Sequence, residues 1–251
     1  MKTGLDLIAE IDQTLTATPT LWWLGHASFI VRFANITFYV DPFFSRPGSL
    51  LSGSNVKHAD MILATHAHRG HLDPITVVPM LEGSKRAKII LPKSAADDAH
   101  VRGIAYPRMT TTDSGLRVEY FKDNLYGRIY SVPSAHPELD WTPGGGYPYL
   151  GYLIRFGRWT VYHAGDGVPY DTLAHRLRPY NVNVAILPIG GKNFAASEAA
   201  QLAEDIGAGW LVPMHYEPGE ESAFVTHMLG QRPQQQFKVF EIGEKWTVPE
   251  E

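Results

Sequence analysis

Three histidines, His66, His68 and His71, stand within six residues and directly follow the apolar run 61–64. A short apolar run of this kind is typical of a buried strand. Because such a strand fixes where the next loop begins, we expect the three imidazoles to surround one point at its end. Imidazole is the commonest protein ligand for transition metals. The stretch therefore predicts a metal centre built on a buried sheet, and such a centre suggests hydrolysis.

The composition limits the class of protein. The 251 residues are 44% hydrophobic and 19% charged, which suits a globular protein with a filled core. The formal net charge is -4 and no basic cluster occurs, so neither nucleic acid nor an anionic membrane is an expected partner. No apolar run reaches the roughly 20 residues of a transmembrane helix, and the first residues lack a signal peptide's apolar core. We therefore expect a cytoplasmic protein without a membrane partner, and its oligomeric state stays open.

The chain contains no cysteine. Disulfides and thiolate ligands are therefore excluded, and histidine and carboxylate side chains must hold any metal. Ligation rich in imidazole favours zinc, whereas ligation rich in oxygen favours manganese. Zinc is accordingly the expected cofactor.

No linker, repeat or low-complexity segment divides the chain, so residues 1–251 are interpreted as a single domain. Short aromatic and β-branched runs predict strands, which follow one another at first and alternate with helices later. A helix over 197–206 is expected to be capped by Ser197, and 237–242 is expected to be the final strand. This mixture predicts an α+β fold with two sheets covered by helices, in layers.

Three more polar residues come just after apolar runs: His136, Asp166 and His215. Ligands at strand ends are held rigidly while their tips face a cleft. Each one alone has an ordinary structural interpretation, because histidines often pack into folds and aspartates often cap turns. Together with the histidine triplet, they form a candidate set of metal ligands.

The motifs resemble the metallo-β-lactamase superfamily, within it the branch of ascorbate-6-phosphate-lactonase-like and N-acyl-phosphatidylethanolamine phospholipase D-like hydrolases. The resemblance runs in order from Trp22 to Tyr216. It is carried by five groups of residues: Trp23-Leu24-Gly25-His26-Ala27-Ser28 with Val40-Asp41-Pro42, Thr65 to Asp73, Tyr162-His163-Ala164-Gly165-Asp166, Leu187-Pro188-Ile189-Gly190-Gly191, and Pro213-Met214-His215-Tyr216. It implies a four-layer αβ/βα sandwich with metals at one edge between two sheets. It also implies one or two zinc ions, with manganese or iron as alternatives.

The resemblance implies the ligands residue by residue: His66, His68 and His136 on the first metal, His71 and His215 on the second, and Asp166 bridging both. It further implies a metal-dependent hydrolase in which metal-activated water attacks a small ester, lactone or phosphoester. Asp166 and His71 are the residues assigned to catalysis. The substrate is a small molecule whose identity the sequence does not fix.

Gly70 departs from the family pattern, which has aspartate there as a ligand of the second metal. Glycine cannot ligate, so the second site loses affinity, and a single-metal enzyme becomes an alternative. His26 and Asp73 are candidate substitutes or supporting partners of the ligands, and His26 could equally be a turn-packing residue. A second hypothesis is a metal- or ligand-binding protein of this fold with weak or no turnover. Restoring the carboxylate in Gly70→Asp is expected to raise the metal content.

Five other polar residues have weaker assignments. Asp41 is interpreted as a turn residue or as support for a ligand, and His163 is expected beside the ligands rather than among them. Arg69, Lys192 and Asn193 are candidates for binding an anionic group on the substrate, against the alternative of a solvated loop.

Overall fold

The computed structural model describes residues 1–250, which form two compact units. The first unit comprises Met1–Thr112 and the C-terminal segment from Phe240 onwards, and the second unit is Asp113–Val239. Each unit contains one seven-stranded sheet with parallel and antiparallel strands. Two mixed sheets with helices confirm the predicted α+β class, whereas the single domain stays a prediction. Within residues 1–250, no helix has the length and apolar character that crossing a bilayer requires.

The sheet of the first unit changes from antiparallel to parallel pairing along its width. Its strands are β1 Thr20–Trp23, β2 Phe29–Phe33, β3 Ile36–Val40, β4 Met61–Leu63, β5 Lys88–Pro92, β6 Met109–Thr112 and β14 Lys245–Thr247, in the order β14-β1-β2-β3-β4-β5-β6. The pairs from β14 to β3 are antiparallel, and those from β3 to β6 are parallel. Val40 pairs with Leu63, so β3 and β4 end side by side. Their following loops therefore start from one edge of the sheet.

Three helices pack with this sheet: α1 Gly4–Gln13, α2 Pro74–Gly83 and α3 Ala96–Val101. Proline suits the first turn of a helix because its missing N–H has no partner there, and α2 begins at Pro74. Leu72 and Val77 are fully buried in the core of this unit. The loop that carries the histidine triplet is therefore fixed by a core strand before it and a core leucine after it.

The second unit repeats the same kind of sheet. Its strands are β7 Arg117–Lys122, β8 Leu125–Pro133, β9 Leu150–Phe156, β10 Trp159–His163, β11 Val184–Pro188, β12 Trp210–Met214 and β13 Gln236–Phe237, in the order β13-β12-β11-β10-β9-β8-β7. From β10 to β13 the strands are parallel, and β8 runs in the same direction as β10 because both are antiparallel to β9. The carboxyl ends of β8, β10 and β12 therefore lie at one edge.

The helices of the second unit are α4 Leu173–Leu177, α5 Ala196–Ile206 and α6 Glu220–Gln231. The predicted cap of α5 is wrong. The helix begins one residue earlier, and the backbone N–H of Ala195 donates to the Glu198 carboxylate over 2.8 Å. A glutamate at the third helical position can satisfy this donor without a capping hydroxyl. The helix ends at Ile206, as the sequence predicts, and Gly207 directly after it has φ 66°.

The predicted final strand over 237–242 is also wrong, because its apolar residues pack into the cores of two different units. Phe237 packs on Phe224 in the second unit, with 5.8 Å between ring centroids. Phe240 packs on Phe29 in the first unit, also at 5.8 Å. The strand therefore ends at Phe237, and the last strand of the chain is instead β14, which pairs with β1 and was not predicted.

Candidate metal centre

The structure brings the histidine triplet together in the first unit. The ring centroids of His66 and His71 are 4.0 Å apart, and those of His66 and His68 are 4.6 Å apart. His66 and His71 are buried, whereas His68 is exposed. The triplet begins three residues beyond the end of β4, as expected for side chains that follow a buried strand.

Asp41 lies beneath the triplet and accepts three hydrogen bonds. Its Oδ1 accepts from the Thr65 N–H over 2.7 Å, and its Oδ2 accepts from the Thr65 hydroxyl over 2.7 Å. The same Oδ2 lies 2.7 Å from His71 Nδ1. The carboxylate is fully buried, so these partners replace water. The parallel pairing of β3 with β4 brings Asp41 to Thr65, which explains why both follow strand ends.

These hydrogen bonds fix which nitrogen of each buried imidazole carries the proton. A carboxylate only accepts, so His71 Nδ1 must donate to Asp41. The Thr65 hydroxyl already donates to Asp41, so it accepts from His66 Nδ1, which lies 3.1 Å away. In both rings, Nε2 is then the nitrogen with a lone pair. A carboxylate that orients a histidine in this way is the usual partner of a metal-ligating imidazole.

His26 stands beside Gly70. The rings of His26 and His71 are 5.0 Å apart at an interplanar angle of 61°. A Cβ atom at position 70 would lie 2.8 Å from His26 Cε1, closer than real side chains approach. The expectation that Gly70→Asp simply raises the metal content is therefore revised, because His26 must move first.

Asp73 and Arg69, two other predicted site residues close to the triplet in sequence, differ in burial and in hydrogen bonding. Asp73 is buried at the start of α2 and accepts a hydrogen bond from the Thr76 hydroxyl, whose oxygen in turn accepts from the Phe44 N–H. Arg69 is exposed. Asp73 therefore anchors the first turn of the helix, and its proposed place beside a metal stays a prediction.

The second unit brings His136, Asp166 and His215 together. His136 Nε2 lies 3.7 Å from Asp166 Oδ2, and His215 Nε2 lies 3.7 Å from Asp166 Oδ1. These separations exceed a hydrogen bond. The aspartate thus turns one oxygen toward each imidazole, which is the orientation that a bridging carboxylate needs.

A metal fits the donors in each unit. Zinc–nitrogen and zinc–oxygen bonds are about 2.0–2.2 Å, so two ligand atoms of one ion lie no more than ~4.3 Å apart. The 3.7 Å separations around Asp166 fall inside that limit. In the first unit, one ring nitrogen of His66 and one of His71 lie within 4.8 Å of each other, which suits ligands of two neighbouring ions about 3.5–4 Å apart. The donors are nitrogen and oxygen only, the set predicted from the lack of cysteine.

The remaining predicted residues lie in the second unit. Lys192 is exposed. Asn193 Nδ2 lies 3.4 Å from His215 Nδ1. Amide orientation is assigned from such contacts, so with the amide turned over, Asn193 Oδ1 would accept from His215 Nδ1 and leave Nε2 for a metal. His163 is buried, and its Nδ1 accepts from the Gly165 N–H over 3.2 Å, which holds the loop leading to Asp166.

Three of the site residues have a backbone conformation that side chains rarely adopt. His26, Asp41 and His215 have φ values of 53°, 46° and 58°. Such strain persists where the surrounding structure requires it, and it is concentrated at functional sites. Each of the three follows a strand directly or through a short turn, so the strain aims a side chain at the sheet edge.

Three contributors were not singled out from the sequence. Thr65 joins Asp41 to both buried imidazoles, and its only signal was its place before His66. Tyr149 packs its ring on His136, with centroids 4.8 Å apart. Burial raises the pKa of Tyr149, and the carboxylates of Asp140 and Asp166 raise it further. The guanidinium of Arg46 lies over Gly25, in the space that a side chain there would fill.

Known proteins resemble the chain in sequence and in fold. The family model described as beta-lactamase superfamily domain matches residues 20–215. A UPF0173 metal-dependent hydrolase of Thermococcus kodakarensis is 32% identical over 77% of this chain and 83% of its own length. One from Pyrococcus horikoshii is 31% identical over 77% and 83%. The solved structure of Igni18, a metallo hydrolase from Ignicoccus hospitalis, covers 93% of this chain and 100% of its own at a TM-score of 0.72 and 23% identity. The likeness to Igni18 confirms the fold.

Proposed function

This chain belongs to the UPF0173 metal-dependent hydrolases of the metallo-β-lactamase superfamily, and on that premise we propose that it cleaves a small ester, lactone or phosphoester. The substrate class rests on the narrower resemblance to lactonase-like and phospholipase D-like hydrolases. The observation that carries the proposal is the buried Asp41 carboxylate, which orients His71 and, through Thr65, His66 with Nε2 as the ligating nitrogen.

The proposed ligands are those that the sequence assigns: His66, His68, His136, His71, His215 and Asp166. Observations within each unit separately support the assignment of these ligands. In the first unit the imidazoles cluster above Asp41, and in the second unit both oxygens of Asp166 face imidazole nitrogens. A metal ion held by such a set lowers the pKa of a water molecule and polarises the substrate's electrophilic group.

The chain's own residues supply orientation and hydrogen bonds. The two oxygens of Asp166 lie 3.7 Å from His136 Nε2 and from His215 Nε2, and in this position the carboxylate can orient the attacking water. Tyr149 remains protonated at neutral pH, so its hydroxyl can donate to an oxygen that gains charge in the transition state. Asp41 and Thr65 keep the ligating imidazoles in one tautomer throughout.

An anionic group on the substrate is the second part of the proposal, and Arg46 is its best-supported anchor. The residue is half-buried against Gly25, next to His26. Within residues 1–250, no carboxylate forms an ion pair with Arg46. A guanidinium with open donors binds carboxylate or phosphate through two hydrogen bonds. Arg69 and Lys192, the candidates from the sequence, are exposed and remain weaker ones.

Zinc is the proposed metal, because five of the six proposed ligands are imidazoles. Manganese and iron are the alternatives. A cytoplasmic location stays a prediction from the sequence.

Hydrolysis of a panel of esters, lactones and phosphoesters tests the function. The purified protein should cleave at least one class, lose that activity with a chelator and regain it with zinc. Arg46→Ala should raise KM for anionic members of the panel about 10-fold or more while leaving neutral ones unchanged. Metal binding without turnover on any class would contradict the proposed reaction and favour the binding protein considered from the sequence.

A further inference from the structure

We infer that His26 takes the ligand position that Gly70 leaves empty, so that the second metal is held by an additional imidazole instead of a carboxylate. The inference rests on the proposed function, because it assumes a second metal at His71. It concerns position 70, where this chain has glycine and the superfamily pattern that it resembles has aspartate. His26 was one of two substitutes considered from the sequence, and the structure separates it from Asp73.

The space beside Gly70 is already filled by the His26 ring. A Cβ atom at position 70 would lie 2.8 Å from His26 Cε1 and 3.3 Å from its Nε2. An aspartate at position 70 and the present ring of His26 therefore exclude each other. A residue that fills the volume of a missing ligand is well placed to reach the same metal.

His26 reaches the proposed ligand of the second metal. One ring nitrogen of His26 and one of His71 lie within 4.8 Å of each other, and the rings meet edge to face at 61°. Asp73, the other candidate, is buried at the start of α2, where its Oδ2 accepts from Thr76 and its Oδ1 has no hydrogen-bond partner. Within residues 1–250, the groups of ligand atoms that converge closely enough to hold a metal include His26 and do not include Asp73. The geometry thus favours the histidine over the aspartate.

The backbone holds His26 in this position before any metal binds. Its carbonyl accepts a hydrogen bond from the Trp23 indole N–H over 2.9 Å. The turn around it is closed by two bonds, from the Leu24 N–H to the Ser28 carbonyl at 2.8 Å and from the Ser28 N–H to the Gly25 carbonyl at 3.0 Å. The ring also packs against Phe43 at 5.8 Å. A preorganised ligand loses little freedom on binding.

The exchange changes the chemistry of the second site. An imidazole replaces an anionic oxygen donor, so the site gains nitrogen character and loses one negative charge. Sites rich in nitrogen favour zinc, and sites rich in carboxylate favour manganese. The second site is therefore expected to select zinc over manganese.

Metal titration of three proteins tests the inference: the wild type, His26→Ala and the control His58→Ala, an exposed histidine of the same unit. Bound zinc is counted by mass spectrometry, and the affinity of each ion is measured by competition with a chelating dye. We expect two zinc ions in the wild type and in the control. In His26→Ala the second ion should bind more than about 100-fold more weakly, because even supporting partners of ligands change affinity 10–100-fold. His26→Gln serves if the alanine variant does not fold.

A double variant tests whether the His26 ring and an aspartate side chain at position 70 occupy the same space. Gly70→Asp alone should weaken the second ion, because the new side chain meets the His26 ring. His26→Ala combined with Gly70→Asp should recover the second ion relative to His26→Ala. A double variant that binds no better than His26→Ala would contradict the exchange.

The outcomes separate this inference from the proposed function. Two ions with unchanged affinities in His26→Ala, or only one ion in the wild type, would overturn the inference and leave a metal-dependent hydrolase. A wild-type protein that binds no metal would overturn the proposed function itself.

Discussion

At the scale of single residues, the candidate site depends on which ring nitrogen of each histidine carries a proton. Asp41 decides this for His71 directly and for His66 through Thr65. From the sequence, Asp41 is interpreted as a turn residue or as support for a metal ligand. The pairing of β3 with β4 in the structure shows that Thr65 and His71 are its hydrogen-bond partners. A histidine triplet is local in sequence, whereas the carboxylate beneath it comes from a distant strand.

Replacing Asp41 by asparagine should lower zinc affinity about 10- to 100-fold. The amide keeps the size of the side chain, but its NH2 group can donate to His71 Nδ1 and thus favour the tautomer with the proton on Nε2. Zinc affinity is measured by competition with a chelating dye. Asp60→Asn is the matched control, because Asp60 is also a buried acceptor, for the Thr37 N–H over 2.8 Å. Equal losses in both variants would contradict the orienting role.

Tyr149→Phe removes one hydroxyl from the candidate site and keeps the ring on His136. We expect kcat to fall about 100-fold, the usual effect of losing one donor to developing charge, while zinc content is unchanged. Tyr106→Phe, at an exposed tyrosine of the first unit, is the control. An unchanged kcat in Tyr149→Phe would remove this residue from the mechanism.

At the scale of elements, the site is an edge where strands end. Strands β10, β11 and β12 are each a short apolar run, which is the kind of local pattern from which a strand can be predicted. Asp166 follows β10, which ends at residue 163, and His215 follows β12, which ends at residue 214. The third predicted ligand of this unit, His136, follows β8. The final strand could not be predicted, because the run 237–242 leaves one core and enters another. Local sequence does not carry that information.

Gly190→Ala should disturb the loop that holds His215. A Cβ atom at position 190 would lie 2.3 Å from the His215 carbonyl oxygen and 2.7 Å from the Tyr216 Cα. Backbone must therefore shift, and we expect at least about a 10-fold loss of zinc affinity, comparable to losing a supporting partner. Gly230→Ala, in helix α6 with open space around it, should leave zinc affinity unchanged and stabilise the fold by about 0.5–1 kcal/mol. Equal zinc affinities in both variants would contradict the close approach.

At the scale of the whole molecule, the sequence predicted the fold family and the class of reaction, because its motifs appear in order along most of the chain. It could not predict how Gly70 is compensated. The His26 ring fills that space through a turn more than 40 residues away in sequence, and only the folded chain brings the two together. Substrate preference depends on side chains such as Arg46, which no motif marks.

Metal removal should destabilise the native protein. A ligand at 100 times its Kd stabilises the folded state by about 2.7 kcal/mol, and each kcal/mol shifts Tm by about 2–4 °C at this size. Dialysis against a chelator should therefore lower Tm by roughly 5–10 °C, measured by calorimetry. The His66→Ala variant, which lacks a proposed ligand, should show a much smaller shift. A wild-type Tm that does not respond to the chelator would contradict tight metal binding.

The most direct test of the metal centre is a crystal structure of the zinc-loaded protein with anomalous scattering recorded on both sides of the zinc edge. We expect anomalous peaks within about 2.0–2.2 Å of ligand atoms of His66, His71 and Asp166, with His26 beside the ion at His71. Peaks confined to other histidines, or no peak at the triplet, would contradict it.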